Sequence, residues 1–361
     1  MLGSTVVVDA VVHPYNLGPD NQAEGAAAQL EAVYGAHRLA FGDRYGSYVL
    51  SREEFFSDFP FDILAQALFT ESAVDVAILH ALPNLGFART YVTDPERAAE
   101  LCRRHPQRFL MYATVDTPLT SSAISQLQEQ VARYPVSGLK LYPAFFYDGK
   151  GEGWRLDGPD FATPLLEAAR DMGIRNVAIH KALWLAPAPR SAFGLDDMHA
   201  ALERFSDLTF QVVHAGTAFV DQTVELLRQH TNMYATLETT FQFLVSRPEL
   251  FGRVLGTMLT QCGSERLLFA SGADLMHPAP LLTEFERYLI PETILDEFGL
   301  RQITAEDRRN ILGRNAIRLH GLREDVITAA ISDDEFAAAK RTPPEQPWSA
   351  LRGAQQAGTP R

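Results

Sequence analysis

Short runs of β-branched and aliphatic residues alternate along the chain with longer segments in which apolar residues recur at helical spacing. This alternation is typical of βα units and predicts a parallel sheet. Because most of the short runs are almost continuously apolar, we expect strands that are buried on both faces. The eight predicted strands are Thr5–Val12, Val74–Leu79, Phe109–Val115, Gly138–Leu141, Asn176–Ile179, Thr209–Val213, Met233–Thr236 and Leu267–Ala270.

Helical patterns fill most of the intervals between these runs. The predicted helices are Pro95–Arg104, Ser121–Tyr134, Phe161–Met172, Asp196–Phe205, Phe219–Gln229 and Leu250–Gln261. Eight strand–helix units in 361 residues predict an α/β fold of the (β/α)₈ TIM-barrel class. The rival fold is an open doubly wound sheet, which normally carries a glycine-rich phosphate loop after its first strand. No GxGxxG motif occurs in this sequence, so the barrel is favoured.

Two segments exceed what a minimal barrel needs. We expect one barrel over residues 1–330, with an insertion at residues 14–60 after the first strand, and a C-terminal tail at residues 331–361. A connection as long as this insertion is usually a lid or a contact surface, although a surface excursion with small helices of its own is an equal alternative. The tail has a composition of weak intrinsic order, and we expect it to dock on the barrel or on a partner.

Composition narrows the classes of partner. The sequence has 45 acidic and 32 basic residues, a formal net charge of −13, which disfavours nucleic acid and anionic membrane surfaces as partners. Its two cysteines fall in no metal-binding or disulfide pattern, which favours a reducing cytoplasm. We find neither a signal-peptide pattern at the N-terminus nor an apolar run of about 18 residues. A small-molecule substrate is therefore the expected partner.

Polar residues stand at or just beyond the ends of most predicted strands, which is where barrel enzymes place their active sites. One histidine at the end of an apolar strand is more often a core residue than a ligand. Several candidates at the same end of separate strands instead indicate a metal centre, because imidazole and carboxylate are the usual ligands of zinc and similar cations. The candidates are Asp9, His13, His80, Lys140, His180, His214, Glu238, Asp274 and His277.

Six segments resemble the amidohydrolase-related family, in particular the branch of aminocarboxymuconate-semialdehyde decarboxylase. They lie between residue 9 and about residue 322 and read DAVVHPY, GLKLYP, AIHKA, VVHAG, FASGADLMHP and NILGRNAIRLHGL. The resemblance implies a divalent metal held by His13, His180, His214 and Asp274. It further implies that His214 and Asp274 handle protons in catalysis.

The first strand departs from the family pattern. The family usually carries Asp-x-His-x-His there, whereas Val11 occupies the position of the first histidine and cannot ligate a metal. A centre of His13, His180 and Asp274 remains open, with His214 or a water completing it. Recruitment of His80 or Glu238 also remains open, as does loss of catalysis.

Further residues are assigned around this centre. The candidates for substrate contact are Trp184, His277, Lys140, His80 and Glu238, although His277 is as well suited to capping the following helix. Some family members carboxylate a fourth-strand lysine to bridge two metals, but for Lys140 we favour a structural or substrate-binding role. Asp9 is expected to orient His13. The remaining histidines, expected at the surface, are His37, His105, His199, His230 and His320.

The resemblance implies a hydrolase or a non-oxidative decarboxylase that acts on a small carboxylate-bearing molecule through a metal-activated water. Zinc is the first expectation for the metal, with iron or manganese as the alternative. A second hypothesis is a subunit of a heteromeric iron/manganese O₂-activating hydroxylase, similar to 2-aminoisobutyrate hydroxylase. A third is a non-catalytic barrel that serves as a partner. The family resemblance also implies a homo-oligomer, or a hetero-oligomer with a homologous chain.

Overall fold

The computed structural model describes residues 5–41, 43–116, 120–147, 150–342, 344 and 346–357. The described strands are β1 (Val8–Val12), β2 (Val76–His80), β3 (Phe109–Thr114), β4 (Val136–Leu141), β5 (Ala144–Tyr147), β6 (Lys150–Gly153), β7 (Asn176–His180), β8 (Thr209–Val213), β9 (Met233–Thr236) and β10 (Leu267–Leu268). The described helices are α1 (Ala27–Phe41), α2 (Arg52–Phe55), α3 (Phe61–Phe69), α4 (Pro95–Arg104), α5 (Thr120–Arg133), α6 (Ala162–Asp171), α7 (Met198–Arg204), α8 (Val220–Gln229), α9 (Thr240–Ser246), α10 (Pro248–Cys262), α11 (Pro278–Arg287), α12 (Glu292–Phe298), α13 (Ala305–Arg309), α14 (Asn315–Leu319), α15 (Glu324–Ile331), α16 (Glu335–Lys340) and α17 (Ser349–Ala357).

Eight parallel strands form the barrel, in the order β1-β2-β3-β4-β7-β8-β9-β10. The chain beyond β10 closes the circle. The backbone N–H of Ala10 donates to Phe269 O at 3.0 Å, and Val12 bridges in parallel to Ala273. The predicted barrel is therefore confirmed, and the six predicted helices end within two residues of their observed bounds. Because closure uses irregular backbone after Leu268, β10 is shorter than the predicted strand.

The core has two layers, as expected for a barrel wrapped in helices. Side chains such as Val8, Ala10 and Ile78 fill the barrel interior, where they pack with Ile327 and Ile331. A larger apolar cluster fills the space between the strands and the surrounding helices. Since Ile327 and Ile331 belong to α15, the helices that follow the last strand close the end of the barrel opposite the carboxyl ends of the strands.

The insertion folds as helix α1, a 3₁₀ turn at Asp43–Tyr48 and the short helix α2. Ser51 begins α2 with a capping box, in which its hydroxyl accepts from the N–H of Glu54 and the Glu54 carboxylate accepts from the N–H of Ser51. The antiparallel hairpin of β5 and β6 is a second excursion, which the sequence analysis missed.

The described part of the tail docks on the barrel. Trp348 is fully buried, and its indole N–H donates to the carbonyl of Tyr48 at 2.9 Å. Glu71 accepts from the backbone N–H groups of Trp348 at 2.7 Å and Ser349 at 2.8 Å. Arg352 bonds the buried carboxylate of Glu54 at 3.0 Å. The tail therefore gains its order from contacts with the insertion and with the loop after α3.

In the described part of the chain, no helix combines the length and the apolar character that crossing a membrane requires. Cys102 and Cys262 are both free thiols.

Candidate metal centre

A cavity of about 680 Å³ opens at the carboxyl ends of the barrel strands. Its volume lies in the range of about 300–1,000 Å³ that is usual for small-molecule sites. The polar side chains in its lining are His13, Tyr15, Gln29, His37, Tyr142, His180, Trp184, His214, Glu238, Thr239 and Gln242. The other described lining residues are apolar, and they come from α1, from the segments after β2 and β7, and from Leu17 and Leu275.

His13 and Asp274 lie side by side where the barrel closes. The N–H of His13 donates to Ala273 O at 2.6 Å, and the N–H of Asp274 approaches His13 O at 3.4 Å. Asp274 Oδ2 accepts from the N–H of Tyr15 at 3.2 Å. Asp274 Oδ1 and His13 Nδ1 are both buried without a hydrogen-bond partner among the described residues. Two ligand-type atoms, from the segments that follow β1 and β10, are thus left unsatisfied in the protein interior, which is unusual for buried polar groups.

His180 and His214 are joined directly, with His180 Nδ1 3.0 Å from His214 Nε2. His180 Nε2 lies 2.8 Å from the carbonyl of Leu183, so this nitrogen carries the proton in the neutral ring and Nδ1 presents a lone pair. His214 Nε2 must then donate to His180. His214 Nδ1 is left as an acceptor 3.0 Å from Thr239 Oγ1. The lone pair of His180 is therefore oriented by the carbonyl behind it, as is common for metal-binding imidazoles.

The backbone at this site is held in unusual conformations. His214 and Thr239 have φ values of 67° and 61°, in the left-handed region that non-glycine residues rarely adopt. Gly272 has φ of 70°, and a Cβ at this position would lie 2.4 Å from Glu238 Oε1. A larger residue at 272 would therefore have to displace the Glu238 carboxyl group, whose Oε2 lies 3.1 Å from His214 Nδ1. Strained positions of this kind concentrate at functional sites.

Burial sets the charge states of these groups. It lowers the pKa of His180 to about 3 and holds the pKa values of His13 and His214 well below their usual range. The three imidazoles are therefore neutral near pH 7, as metal ligands must be. Burial raises the pKa of Asp274 to about 8, so its carboxyl group keeps its proton at neutral pH unless a cation compensates the negative charge.

The neighbouring pair of Lys140 and Glu238 behaves similarly. Burial raises the pKa of Glu238 and lowers that of Lys140, and each group partly offsets the shift of the other by charge attraction. Lys140 Nζ has no hydrogen-bond partner among the described residues and lies 4.9 Å from the ring centroid of Tyr142.

These residues fit a divalent cation by donor chemistry. They present neutral imidazoles, an oriented lone pair on His180, and two buried, unpartnered ligand atoms on His13 and Asp274. In the described ranges, however, no three His, Cys, Asp or Glu side chains are already gathered into a complete metal site. Metal binding therefore has to replace the His180–His214 hydrogen bond, because that bond occupies the His180 lone pair.

The other predicted site residues lie in three different parts of the barrel. Trp184 and Glu238 line the cavity, with Trp184 43% exposed. His80 and Lys140 are fully buried and absent from the cavity lining, and His80 stacks on Tyr112 at 4.6 Å between ring centroids. His277 caps α11, since its Nδ1 accepts from the N–H of Ala279 at 3.2 Å.

His277 therefore takes the capping role that the sequence analysis left open. Its Nε2 lies 3.0 Å from Glu71 Oε2, and its side chain is fully buried away from the cavity.

The predicted role of Asp9 is wrong. Its carboxylate accepts from the hydroxyl of Ser271 at 2.5 Å and from the N–H of Ser271 at 2.9 Å, and no hydrogen bond joins it to His13 among the described residues. Barrel closure is the physical reason, because it brings the chain after β10 against β1. Asp9 thus fixes the loop that carries Asp274, rather than the imidazole ring.

Two histidines expected at the surface are buried. His37 is 3% exposed, and its Nε2 accepts from the N–H of Leu50 at 3.1 Å. His230 is 9% exposed and lies 2.8 Å from His199 Nδ1. His320 is partly buried, with its Nε2 2.8 Å from the Tyr112 hydroxyl. Helices that pack against other helices bury such residues, and a helical pattern alone does not indicate which ones.

The sequence analysis missed three residues that line the cavity beside the predicted ligands. Tyr15 stacks on His13 with 5.0 Å between ring centroids, and Tyr142 packs on His180 at 4.7 Å. Thr239 bonds His214. Each lies one to three residues beyond a strand end, so their positions in HPY, LYP and ETT were the available signal.

Comparison with known proteins identifies the family of the barrel. The amidohydrolase family model matches residues 8–322. The chain belongs to the amidohydrolase family. The match begins at the first residue of β1 and ends just beyond α14, so it contains the whole barrel of this amidohydrolase and excludes the tail. No match was found among curated proteins.

Solved structures share the fold of this amidohydrolase. An uncharacterized TIM-barrel protein from Bordetella bronchiseptica has a TM-score of 0.64 at 15% identity, covering 87% of this chain and 98% of its own. A 2,6-dihydroxybenzoate decarboxylase from Rhizobium has a TM-score of 0.55 at 16% identity, covering 88% and 99%. A dihydroxybenzoic acid decarboxylase from a Polaromonas species, with bound manganese and the inhibitor 2-nitroresorcinol, has a TM-score of 0.54 at 13% identity, covering 88% and 97%. At such identities the likeness establishes the fold alone.

Proposed function

We propose that this amidohydrolase is a divalent-metal-dependent enzyme that decarboxylates or hydrolyses a small carboxylate-bearing substrate. The observation that carries the proposal is the pair of unpartnered, buried ligand atoms on His13 and Asp274 beside the oriented lone pair of His180. Three protein ligands and an open position are what a catalytic metal site provides. Val11 removes one family ligand, and these three residues suffice without it.

His13, His180 and Asp274 are the proposed ligands, with His214 as either the fourth ligand or a proton carrier. When bound, the cation supplies Lewis acidity and lowers the pKa of water toward about 7. Zinc, manganese and iron all accept a set of imidazole and carboxylate ligands.

The protein side chains manage the proton. His214 holds a proton on Nε2, and its Nδ1 can accept a hydrogen bond from the Thr239 hydroxyl at 3.0 Å or a proton from Glu238 Oε2 at 3.1 Å. In decarboxylation the bond between carbon and carboxyl group breaks, CO₂ leaves, and the electron pair left on carbon takes a proton. In hydrolysis the water oxygen forms a bond to the electrophilic carbon of the substrate, the bond from that carbon to the leaving group breaks, and the proton of the water passes to the leaving group. Either Asp274 or His214 is suited to carry that proton.

The test uses the metal-loaded protein in two assays. Decarboxylation is followed as CO₂ released from a panel of aryl and alkyl carboxylates. Hydrolysis is followed as acid released from matching esters and lactones. We expect turnover that Asp274→Asn reduces by at least about 100-fold, since both a ligand and a proton carrier are changed. As the control, the exposed residue Asp296 on α12 is changed to Asn, which should leave the rate unchanged.

Two other outcomes would replace this proposal. Oxygen consumption together with a copurifying homologous chain would favour a subunit of an iron/manganese hydroxylase. Absence of both metal binding and turnover would favour a non-catalytic partner barrel.

A further inference from the structure

The charged side chains that line the cavity restrict the class of ligand that it can bind. Among the described lining residues, Glu238 is the one Asp, Glu, Lys or Arg side chain. Lys140 is fully buried beside Tyr142 and is not part of the lining. A ligand group that carries negative charge away from the histidines would therefore meet no cationic side chain, and burying an unpaired charge is strongly unfavourable.

The apolar part of the cavity lining is larger than its polar part. His13, His180, His214 and Glu238 gather at the strand ends, as described above. Much of the remaining lining is aliphatic or aromatic, including Leu17, Leu82, Leu85, Phe87, Leu183 and Leu185. A cavity with one polar end and an apolar body favours a ligand of the same pattern.

Helix α1 of the insertion supplies one wall of this apolar body. Ala28, Ala32 and Ala36 recur every four residues and so share one helix face, and Leu30 and Val33 line the cavity beside them. The same helix carries Leu39, which is 80% exposed and does not line the cavity. The described insertion thus contributes a mainly apolar wall, with Gln29 and His37 as polar members of α1, and no Asp, Glu, Lys or Arg side chain.

We propose that the cavity takes a monoanionic ligand, a carboxylate with an apolar body, and rejects dianionic ligands such as α,ω-dicarboxylates. The proposal rests on the proposed function because the metal ion that the histidines would hold is the cation that pairs with the head group, and it is tested by binding alone. The apolar body lies against α1 and against the segments after β2 and β7.

Isothermal titration calorimetry on the protein loaded with manganese or zinc compares butanoate, octanoate and octanedioate. Affinity should rise by up to about fourfold for each added methylene that becomes buried. Octanoate should therefore bind at least about tenfold tighter than butanoate. It should also bind at least about tenfold tighter than octanedioate, which has to bury a second, unpaired carboxylate.

A substitution that adds a positive charge to the cavity wall gives the sharper test. Val33→Arg places a cation in the wall, and it should shift the ratio of octanedioate to octanoate affinity toward octanedioate by at least about tenfold. Leu39→Arg adds the same charge to the exposed part of the same helix and should leave the ratio unchanged. Circular dichroism confirms the fold of each variant, and the wild-type series stands alone if Val33→Arg does not fold.

Equal affinity for octanoate and octanedioate, no gain from butanoate to octanoate, or no detectable binding of octanoate would each overturn the proposal. The proposed function fails differently. Selective octanoate binding by the metal-loaded protein, without turnover of any tested substrate, would leave the cavity assignment standing and remove the enzymatic one. Metal binding and turnover without this selectivity would do the reverse.

Discussion

Replacing Trp348 with alanine tests whether the tail is an integral part of the fold. The indole is fully buried, it lies edge-to-face on Phe59 at 5.7 Å and on His277 at 4.7 Å between ring centroids, and its N–H bonds the carbonyl of Tyr48. Truncating a buried tryptophan to alanine costs about 3–5 kcal/mol. At about 2.1 cal/mol/K of unfolding entropy per residue, this chain of 361 residues should lose about 4–7 °C in Tm.

Differential scanning calorimetry measures this shift, with Leu289→Ala as the control. Leu289 is 63% exposed, and its truncation should change stability by no more than about 0.5 kcal/mol. Trp348→Phe should fall between the two, because it keeps most of the packing and loses the indole hydrogen bond. A Tm for Trp348→Ala within about 1 °C of wild type would refute the reasoning, since it would mean that the tail does not dock as described.

Two further predictions concern the groups next to the site. Lys181→Met should lower the free energy of unfolding by about 3–5 kcal/mol in urea titrations. The reason is that it leaves the buried Asp197 carboxylate, which Lys181 Nζ contacts at 2.7 Å, without its cation. A loss below about 1 kcal/mol would contradict this pairing. Metal affinity should rise about tenfold per pH unit between pH 6 and about 8 and then level off. Because burial raises the pKa of Asp274, the cation has to displace one proton from this carboxyl group below about pH 8, whereas His180 is already neutral. Metal titrations in buffers across pH 6–9 check the slope, and a flat profile would exclude Asp274 as the titrating ligand.

The barrel, and the strand-end histidines that line its cavity, could be predicted from sequence because both follow from local patterns. Strands buried on both faces are apolar runs, and His180 and His214 directly end such runs. A histidine at the carboxyl end of a barrel strand points to the same rim whatever the loops do. The pattern could not show which of these side chains reach the cavity, since His80 ends a strand as well and is buried against Tyr112 instead.

What could not be predicted depends on contacts between distant parts of the chain. Asp9 meets Ser271, 262 residues away, only because the barrel closes with that register. Glu71 and Trp348 are 277 residues apart, and neither has a local pattern that indicates the other. The role of α1 as a cavity wall has the same origin, because its alanine-rich face would suit either solvent or a ligand.

The metal content of the His180→Ala variant tests the central claim most directly. Wild type, His180→Ala and the control His199→Ala are loaded with manganese or zinc, freed of excess metal by gel filtration and analysed for metal per chain. His199 has the same side chain, lies on α7 and is 53% exposed. We predict about one metal ion per chain in wild type and in His199→Ala and almost none in His180→Ala, because a catalytic site of three protein ligands does not survive the loss of one. Full retention of metal by His180→Ala would contradict the account.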